Sequence, residues 1–266
     1  AINVEKVRAY REDPARAPLL HQSPLLATKF FRFNCSRAPL RDPRVRRALA
    51  LALDRPGLTR NILQNDLVAH AFTPPDCAGY TAEPAVTTDP ATARRLLASA
   101  GFPEGRGFPK LELLLYPTGS SGQPVAEAVQ QMWRKVLGIE VAVVQQETKT
   151  VLDARRAQTY DILLSEWYGD YMDPLTFLEL WTSASEHNKT GWASADYDQL
   201  LTQAASATDQ TQRFALLRRA EALVLAETPI TPLFHLPANE LRHPAVKGWY
   251  PSLLSLHPPK FVSLEP

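Results

Sequence analysis

The stretch YDILLSEWYGDYMDP, residues 160–174, sets an apolar strand directly before two aromatic residues, a glycine and two acids. In an open α/β sheet, ligands bind at the carboxyl ends of strands, so we expect a ligand near this point. A carboxylate beside aromatic faces, as at Asp170, suits a ligand that carries an ammonium group. A helix cap is the alternative interpretation. Asp173-Pro174 would cap a helix that begins at Leu175, which explains Asp173 and leaves Asp170 unexplained.

Strand and helix patterns alternate before this stretch. Strands are predicted at 111–116, 139–144 and 160–167, separated by an apolar stripe from Val125 to Leu137 and by a short helix around 151–155. This β-α-β-α-β order predicts an α/β fold with a mainly parallel sheet and right-handed crossovers. The continuous apolar run Ile162-Leu163-Leu164 is typical of a strand that is buried on both faces.

The remaining segments are predicted from periodicity and from helix-start signals. The predicted elements are a strand at 25–34, helices opening at Asp42-Pro43 and Asp89-Pro90, helices near 195–206 and 209–227, and a strand at 230–236. Arg44, Arg46 and Arg47 are interpreted as a solvated helix face. Residues 1–24 and 237–266 are expected to be irregular, and Pro117–Gly122 an ordinary loop rather than a phosphate site.

Composition excludes several classes of function. The chain has 266 residues and a formal net charge of +1, so it lacks the excess of basic residues that is typical of nucleic-acid binding. The sequence contains no apolar run long enough to span a membrane, and its histidines and two cysteines, Cys35 and Cys77, fit no metal motif. We predict no cofactor and no metal. The cysteines are either bridged or free. Because the chain begins at Ala1, we expect a processed or trimmed protein.

Four segments carry a resemblance to a known family. They are Asn34 with the block 42–55 (DPRVRRALALALDR), the helix and turn at 89–102, the run 137–150 (LGIEVAVVQQETKT), and Tyr160 through Pro174. In this order the chain resembles the extracytoplasmic peptide-binding proteins of ABC importers. The resemblance implies a type II periplasmic-binding lobe, a mainly parallel sheet flanked by helices, plus hinge strands. It divides the chain into a tail with the first hinge strand (1–35), a C-terminal ligand-binding lobe (36–230), and a second hinge strand with a returning tail (231–266).

The resemblance also implies roles for individual residues. Asp170 would pair with the free α-ammonium of a peptide. The strand edge at Glu166 and Tyr168 would hydrogen-bond the ligand backbone, next to Gly169. Trp167 would line a side-chain pocket or pack in the core. Arg155, which matches an arginine of the family, completes the expected ligand-binding set.

Several positions depart from the family pattern. Relatives that hold short peptides bind the carboxylate with basic residues where this chain has Gly122 and Leu164. The tryptophan that follows Gln-Glu in the family is Thr148 here. Ala27 and Tyr168 occupy the positions of a disulfide found in some relatives. Capture of a ligand carboxylate at the family position is therefore not expected.

The resemblance implies a periplasmic or extracytoplasmic protein that binds peptides or peptide-like solutes for delivery to an ABC permease, together with an N-terminal lobe absent from this chain. A ligand-sensing domain of a regulatory protein is the alternative, because fold alone does not settle function. An enzyme that uses the acids Glu166, Asp170, Asp173 and Glu179 is a third interpretation, although no nucleophile lies nearby in the sequence.

Overall fold

The computed structural model describes residue 2 and residues 4–63, 67–117 and 121–265. Its strands are β1 (Leu20–Phe33), β2 (Leu111–Leu115), β3 (Val141–Gln145), β4 (Ile162–Tyr168), β5 (Ile230–Leu241), β6 (Val246–Lys247) and β7 (Ser263–Leu264). Its α-helices are α1 (Val4–Glu12), α2 (Pro43–Leu51), α3 (Arg55–Leu58), α4 (Pro90–Ser99), α5 (Gly122–Leu137), α6 (Thr148–Ala157), α7 (Leu175–Leu178), α8 (Ala195–Ser206) and α9 (Gln210–Glu227).

The central sheet has five strands in the order β3-β2-β4-β1-β5. β2 pairs in parallel with β3 and β4, whereas β1 runs antiparallel to both β4 and β5. Four strands therefore point the same way and β1 alone points the other way. The α/β fold with a mainly parallel sheet is confirmed. β1 and β5, the two expected hinge strands, lie side by side.

Both faces of the sheet are covered by helices. Ile162 and Leu164 of β4 pack into a core with residues of α2, α4 and α5. Leu163, on the opposite face, packs against Val151 of α6. A third cluster joins Phe30 of β1 to α8 and α9. Burial of the run 162–164 on both faces is thus confirmed, as the side chains of successive strand residues alternate.

Local signals fix the starts and ends of the helices. The Asp42 side chain accepts a hydrogen bond from the Arg44 amide at the start of α2, and Asp209 accepts one from Gln212 at the start of α9. Gly138 follows α5 with φ +70°, a left-handed conformation that glycine adopts without strain. These caps lie where the sequence predicts them.

Three expectations are corrected. Residues 1–24 are not wholly irregular, since they form α1 and the start of β1. The C-terminal part is not wholly irregular either, because β5 extends beyond 236 to Leu241 and two short strands follow. Arg46 is not solvated but only 3% exposed, because its guanidinium donates to backbone carbonyls at the end of α9.

The state of the two cysteines is resolved, whereas part of the loop expected at 117–122 is not described. Cys35 and Cys77 are both free thiols, which decides between the two states left open for them. Residues 118–120 of the expected loop lie outside the described residues, as do 64–66. Within the described ranges, no helix is both long and apolar enough to cross a bilayer.

Candidate functional site

Among the described residues, no strand pairs with the last part of one edge of β4. Asn34 N donates to Asp161 O at one end of the β1–β4 ladder and Gly169 N to Leu26 O at the other, at 2.9 and 2.7 Å. Because bonding alternates along an antiparallel ladder, the odd-numbered residues of β4 bond to β1 and the even-numbered residues point their amides and carbonyls toward β2.

β2 does not reach the end of that edge. The described β2–β4 ladder ends at the pair Leu114–Leu163. The backbone groups of Glu166 and Tyr168 therefore point past the end of β2. Such an edge accepts an added strand from a ligand. The two residues that the sequence predicted for this role lie on the open edge.

The Glu166 side chain is already neutralised. Lys29 of β1 is its direct cross-strand partner, and Lys29 Nζ lies 2.9 Å from Glu166 Oε2. A cation held at this distance offsets the negative charge of the carboxylate and weakens its attraction for another cation. Glu166 thus contributes its backbone to the edge, while its carboxylate is held by the protein.

Two further acids of the segment are also engaged. Asp173 Oδ1 accepts from Arg213 Nη2 at 2.8 Å and from the Leu175 amide at 2.9 Å. The Asp173 carboxylate raises the pKa of Arg213 by hydrogen bonding. Glu179 Oε1 accepts from the Tyr171 hydroxyl at 2.8 Å. Burial, followed by this bond to Glu179, raises the pKa of Tyr171. Asp173 thus lies at the start of α7 and accepts from its first residue, although the N-cap position itself is Pro174, without a side-chain cap.

Asp170 differs from these three acids. Its amide donates to Thr176 Oγ1 at 3.0 Å, which fixes the backbone. Its side chain is exposed, and its carboxylate makes no hydrogen bond or ion pair with any described residue. Of Glu166, Asp170, Asp173 and Glu179, Asp170 is therefore the acid that remains available to an external cation.

Gly169 permits the close approach that holds this loop. A Cβ at this position would lie 2.6 Å from Leu26 Cδ2 and 3.0 Å from Thr176 Cγ2. The Gly169 amide also bonds to β1 through Leu26 O. The residue thus fixes the turn between β4 and Asp170, and its lack of a side chain is required by packing.

The two aromatic residues lie on opposite faces of β4. Tyr168 is 52% exposed and projects to the same face as Glu166. Burial of its ring, followed by the charge of Glu166, raises the pKa of Tyr168. Trp167 is half-buried against the α8–α9 core and meets His187 edge-on at 5.1 Å. Its buried indole Nε1 has no hydrogen-bond partner among the described residues. Trp167 is therefore partly a core residue and partly an open hydrogen-bond donor.

Arg155 comes from the last turn of α6, on the face of the sheet that carries Leu163 and Trp167. Its Nε is buried and has no partner in the described part of the chain. Sequence reasoning missed two residues of this region, Lys29 and Arg32. Both lie in the mostly apolar second half of β1, residues 25–33, and the available signal was a charge inside that apolar run.

Two pairs of positions that depart from the family pattern are neighbours in the structure. Ala27 and Tyr168 are direct cross-strand partners, so the two positions where some relatives have a disulfide are adjacent here without cysteines. A Cβ on Gly122 would touch Leu164 Cδ2 at 4.0 Å. The two positions that lack basic residues therefore lie side by side at the start of α5, and neither of them offers a cation.

Comparison with known proteins decides the family. Residues 1–189 match the family model described as bacterial extracellular solute-binding proteins, family 5 Middle. This chain belongs to that family. The names of relatives with similar sequences state different ligands. The periplasmic murein peptide-binding protein MppA of Escherichia coli (strain K12) is 35% identical over 86% of this chain. The probable deoxycholate-binding periplasmic protein YgiS of the same strain is 34% identical over 85%.

The structural comparison agrees. The solved structure of MppA, a periplasmic murein tripeptide binding protein in its unliganded open form, superposes with a TM-score of 0.87 at 31% identity and covers 99% of this chain. The type II periplasmic-binding fold is confirmed. The chain covers 44% of the MppA sequence and 52% of its structure, so it spans about half the length of the solute-binding relatives it matches.

Proposed function

We propose that this chain is the C-terminal ligand-binding lobe of an extracytoplasmic solute-binding protein that delivers peptides to an ABC permease. The single observation that supports this is the state of Asp170. It is an exposed carboxylate without a partner among the described residues, placed after the open edge of β4. A peptide offers an ammonium group for that carboxylate and a backbone for that edge.

The two features set the direction of the ligand. With its ammonium at Asp170, a peptide that runs back along Tyr168 and Glu166 lies antiparallel to β4. Its amides and carbonyls then meet those of the open edge, which recognises a peptide whatever its side chains. Trp167 and the Gly169 turn belong to the same strand end, and Arg155 of α6 lies on the face of the sheet that carries Trp167.

The function is binding without turnover. The acids that an enzyme would need at Glu166, Asp173 and Glu179 are already engaged within the protein. Their partners are Lys29, Arg213 and Tyr171.

The partners follow from the same proposal. A second, N-terminal lobe closes over the ligand and removes it from water, so the lobe alone binds weakly. The closed protein docks on its permease at the outer face of the membrane, in the periplasm or its equivalent. No nucleic acid and no metal takes part.

The test uses the natural gene product that contains this chain. Tetra-alanine with a free amine and its N-acetylated form are titrated by calorimetry, and co-purifying small molecules are identified by mass spectrometry. We expect the free-amine peptide to bind, acetylation to weaken binding, and Asp170→Asn to cost about 2–5 kcal/mol, or roughly 30-fold to several thousand-fold in affinity.

Glu166→Gln is the matched control. It also removes a carboxylate at the end of β4, but that carboxylate is held by Lys29, so its affinity is expected to stay within a few-fold of the wild type. Equal binding of the free and acetylated peptides, or an equal loss in both variants, would refute the role of Asp170.

A further inference from the structure

Among the described residues, three arginines are almost wholly buried, and two of them are saturated with hydrogen bonds. Arg46 and Arg55 are 3% and 1% exposed. Every guanidinium nitrogen of both side chains donates to an oxygen of the fold. The acceptors are the carbonyls of Leu40, Arg41, Glu227 and Thr228 for Arg46, and the carbonyls of Ala50, Thr87 and Pro232 with the Thr231 hydroxyl for Arg55. These two side chains are structural, because every guanidinium nitrogen already has an acceptor within the fold.

Arg32 is buried to the same degree, at 2% exposed, but it is not saturated. Its Nε donates to Ser165 Oγ at 3.2 Å and its Nη1 to His187 O at 2.8 Å. The guanidinium lies over the rings of Phe30 and Trp181, at 5.2 and 4.7 Å from their centroids. Within the described part of the chain, its Nη2 has no acceptor.

Arg155 adds a second unsatisfied guanidinium beside the first. Its side chain makes no hydrogen bond or ion pair with any described residue, and its Nε is buried. The pKa of Arg32 is lowered to about 10, mainly by burial, and the charge of Arg155 contributes to the same shift. Arg32 therefore stays protonated at neutral pH, and arginine keeps its proton in proteins generally. Leu163, the cross-strand partner of Arg32, packs with Val151 and Ala154 of α6, so Arg155 of that helix lies on the side of the sheet that carries Arg32. No described acid forms an ion pair with either arginine.

Arg32 is linked to the strand that carries the proposed peptide path. Arg32 bonds to Ser165, which lies on the same face of β4 as Trp167, two residues before it. The Nε1 of Trp167 is a third donor without an acceptor among the described residues, which supports the same conclusion.

We propose that Arg155 and Arg32 form an anion subsite that takes a carboxylate of the bound peptide. The inference rests on the proposed function and names the class of ligand: a peptide with an amine at Asp170 and a carboxylate deeper in the site. Two neighbouring guanidinium groups without an anion are costly, and a carboxylate that accepts from both relieves that cost and gains charge-assisted bonds. The carboxylate comes from an acidic side chain or from the peptide C-terminus.

The test compares four peptides on the natural gene product. They are Ala-Glu-Ala-Ala amide, Ala-Ala-Glu-Ala amide, Ala-Gln-Ala-Ala amide, and Ala-Gln-Ala-Ala with a free C-terminus. We expect at least one carboxylate peptide to bind about ten- to hundred-fold tighter than the Gln amide, as a hydrogen bond to a charged group gives. Preference for a Glu peptide assigns the subsite to a side chain, and preference for the free acid assigns it to the C-terminus.

Variants locate the subsite. The ratio that matters is the affinity for the preferred carboxylate peptide divided by the affinity for Ala-Gln-Ala-Ala amide. Arg155→Gln is expected to bring this ratio to about one. Arg32→Gln, checked for folding by circular dichroism, is expected to lower it. Arg156→Gln is the control: Arg156 lies one residue along α6, exposed and paired with Asp153, so the ratio should not change. Equal binding of all four peptides by the wild type, or an unchanged ratio in both Arg155→Gln and Arg32→Gln, overturns the subsite. Binding of none of the peptides overturns the proposed function itself.

Discussion

Lys29 and Glu166 face each other across the β1–β4 ladder, and their side chains form an ion pair of 2.9 Å. The pair neutralises an acid that lies four residues before Asp170. Without Lys29, two carboxylates at the end of β4 would compete for one ammonium group. With it, a cation that arrives at this edge meets one free carboxylate.

The ion pair itself is expected to add little to stability. The Glu166 side chain is 45% exposed, so water screens the interaction. A double-mutant cycle with Lys29→Met and Glu166→Gln, measured by urea unfolding at low salt, should give a coupling of about 0.2–1 kcal/mol. The more exposed pair Arg156–Asp153 provides the comparison and should give a smaller value. A Lys29–Glu166 coupling above about 2 kcal/mol would contradict this account and indicate a desolvated pair.

Gly169→Ala should destabilise the protein by about 1–3 kcal/mol, because the new Cβ would lie 2.6 Å from Leu26 Cδ2 in a packed region. Gly122→Ala is the matched control. Its Cβ would meet no atom closer than Leu164 Cδ2, at 4.0 Å, and it lies in a helix, so stability should stay the same or rise by up to about 1 kcal/mol. Thermal unfolding of both variants measures the difference. Equal melting temperatures for Gly169→Ala and the wild type would show that Leu26 moves aside at little cost.

His235 should make stability depend on pH. The Thr28 hydroxyl donates to Phe72 O at 2.8 Å, so it must accept from His235 Nδ1–H at 2.9 Å. Burial, and next the charge of His70, lowers the pKa of His235 from 6.5 to about 4. Since the folded-state pKa is depressed, the stabilisation is present above pH 6.5 and is lost as the pH falls through about 4.

The size of that loss is on the order of 3 kcal/mol, at about 1.36 kcal/mol for each pKa unit. Urea unfolding at several pH values between about 7 and 4 should show the stability advantage of the wild type over His235→Gln shrinking on acidification. His243→Gln, at a position outside the core, should keep the pH profile of the wild type. A constant difference between the wild type and His235→Gln across this range would contradict the depressed pKa.

Much of the fold could be predicted because its signals are local. The capping aspartates and Gly138 mark helix ends, and the apolar run 162–164 marks a strand buried on both faces. Arg46 shows where local reasoning fails. The position of Arg46 on α2 is typical of a solvated residue. However, α9 ends nearby, and the buried guanidinium of Arg46 donates to the carbonyls of Glu227 and Thr228. No local sequence feature indicates this contact between Arg46 and the end of α9.

The sequence by itself determined the α/β class and the family, and it indicated the segment in which we propose a ligand-binding acid. Only the tertiary structure decided which acid is free. Lys29 is 137 residues from Glu166 and Arg213 is 40 residues from Asp173, and both pairings depend on how strands and helices pack. Caps and periodicity depend on neighbours along the chain, whereas the charge state of a site depends on neighbours in space.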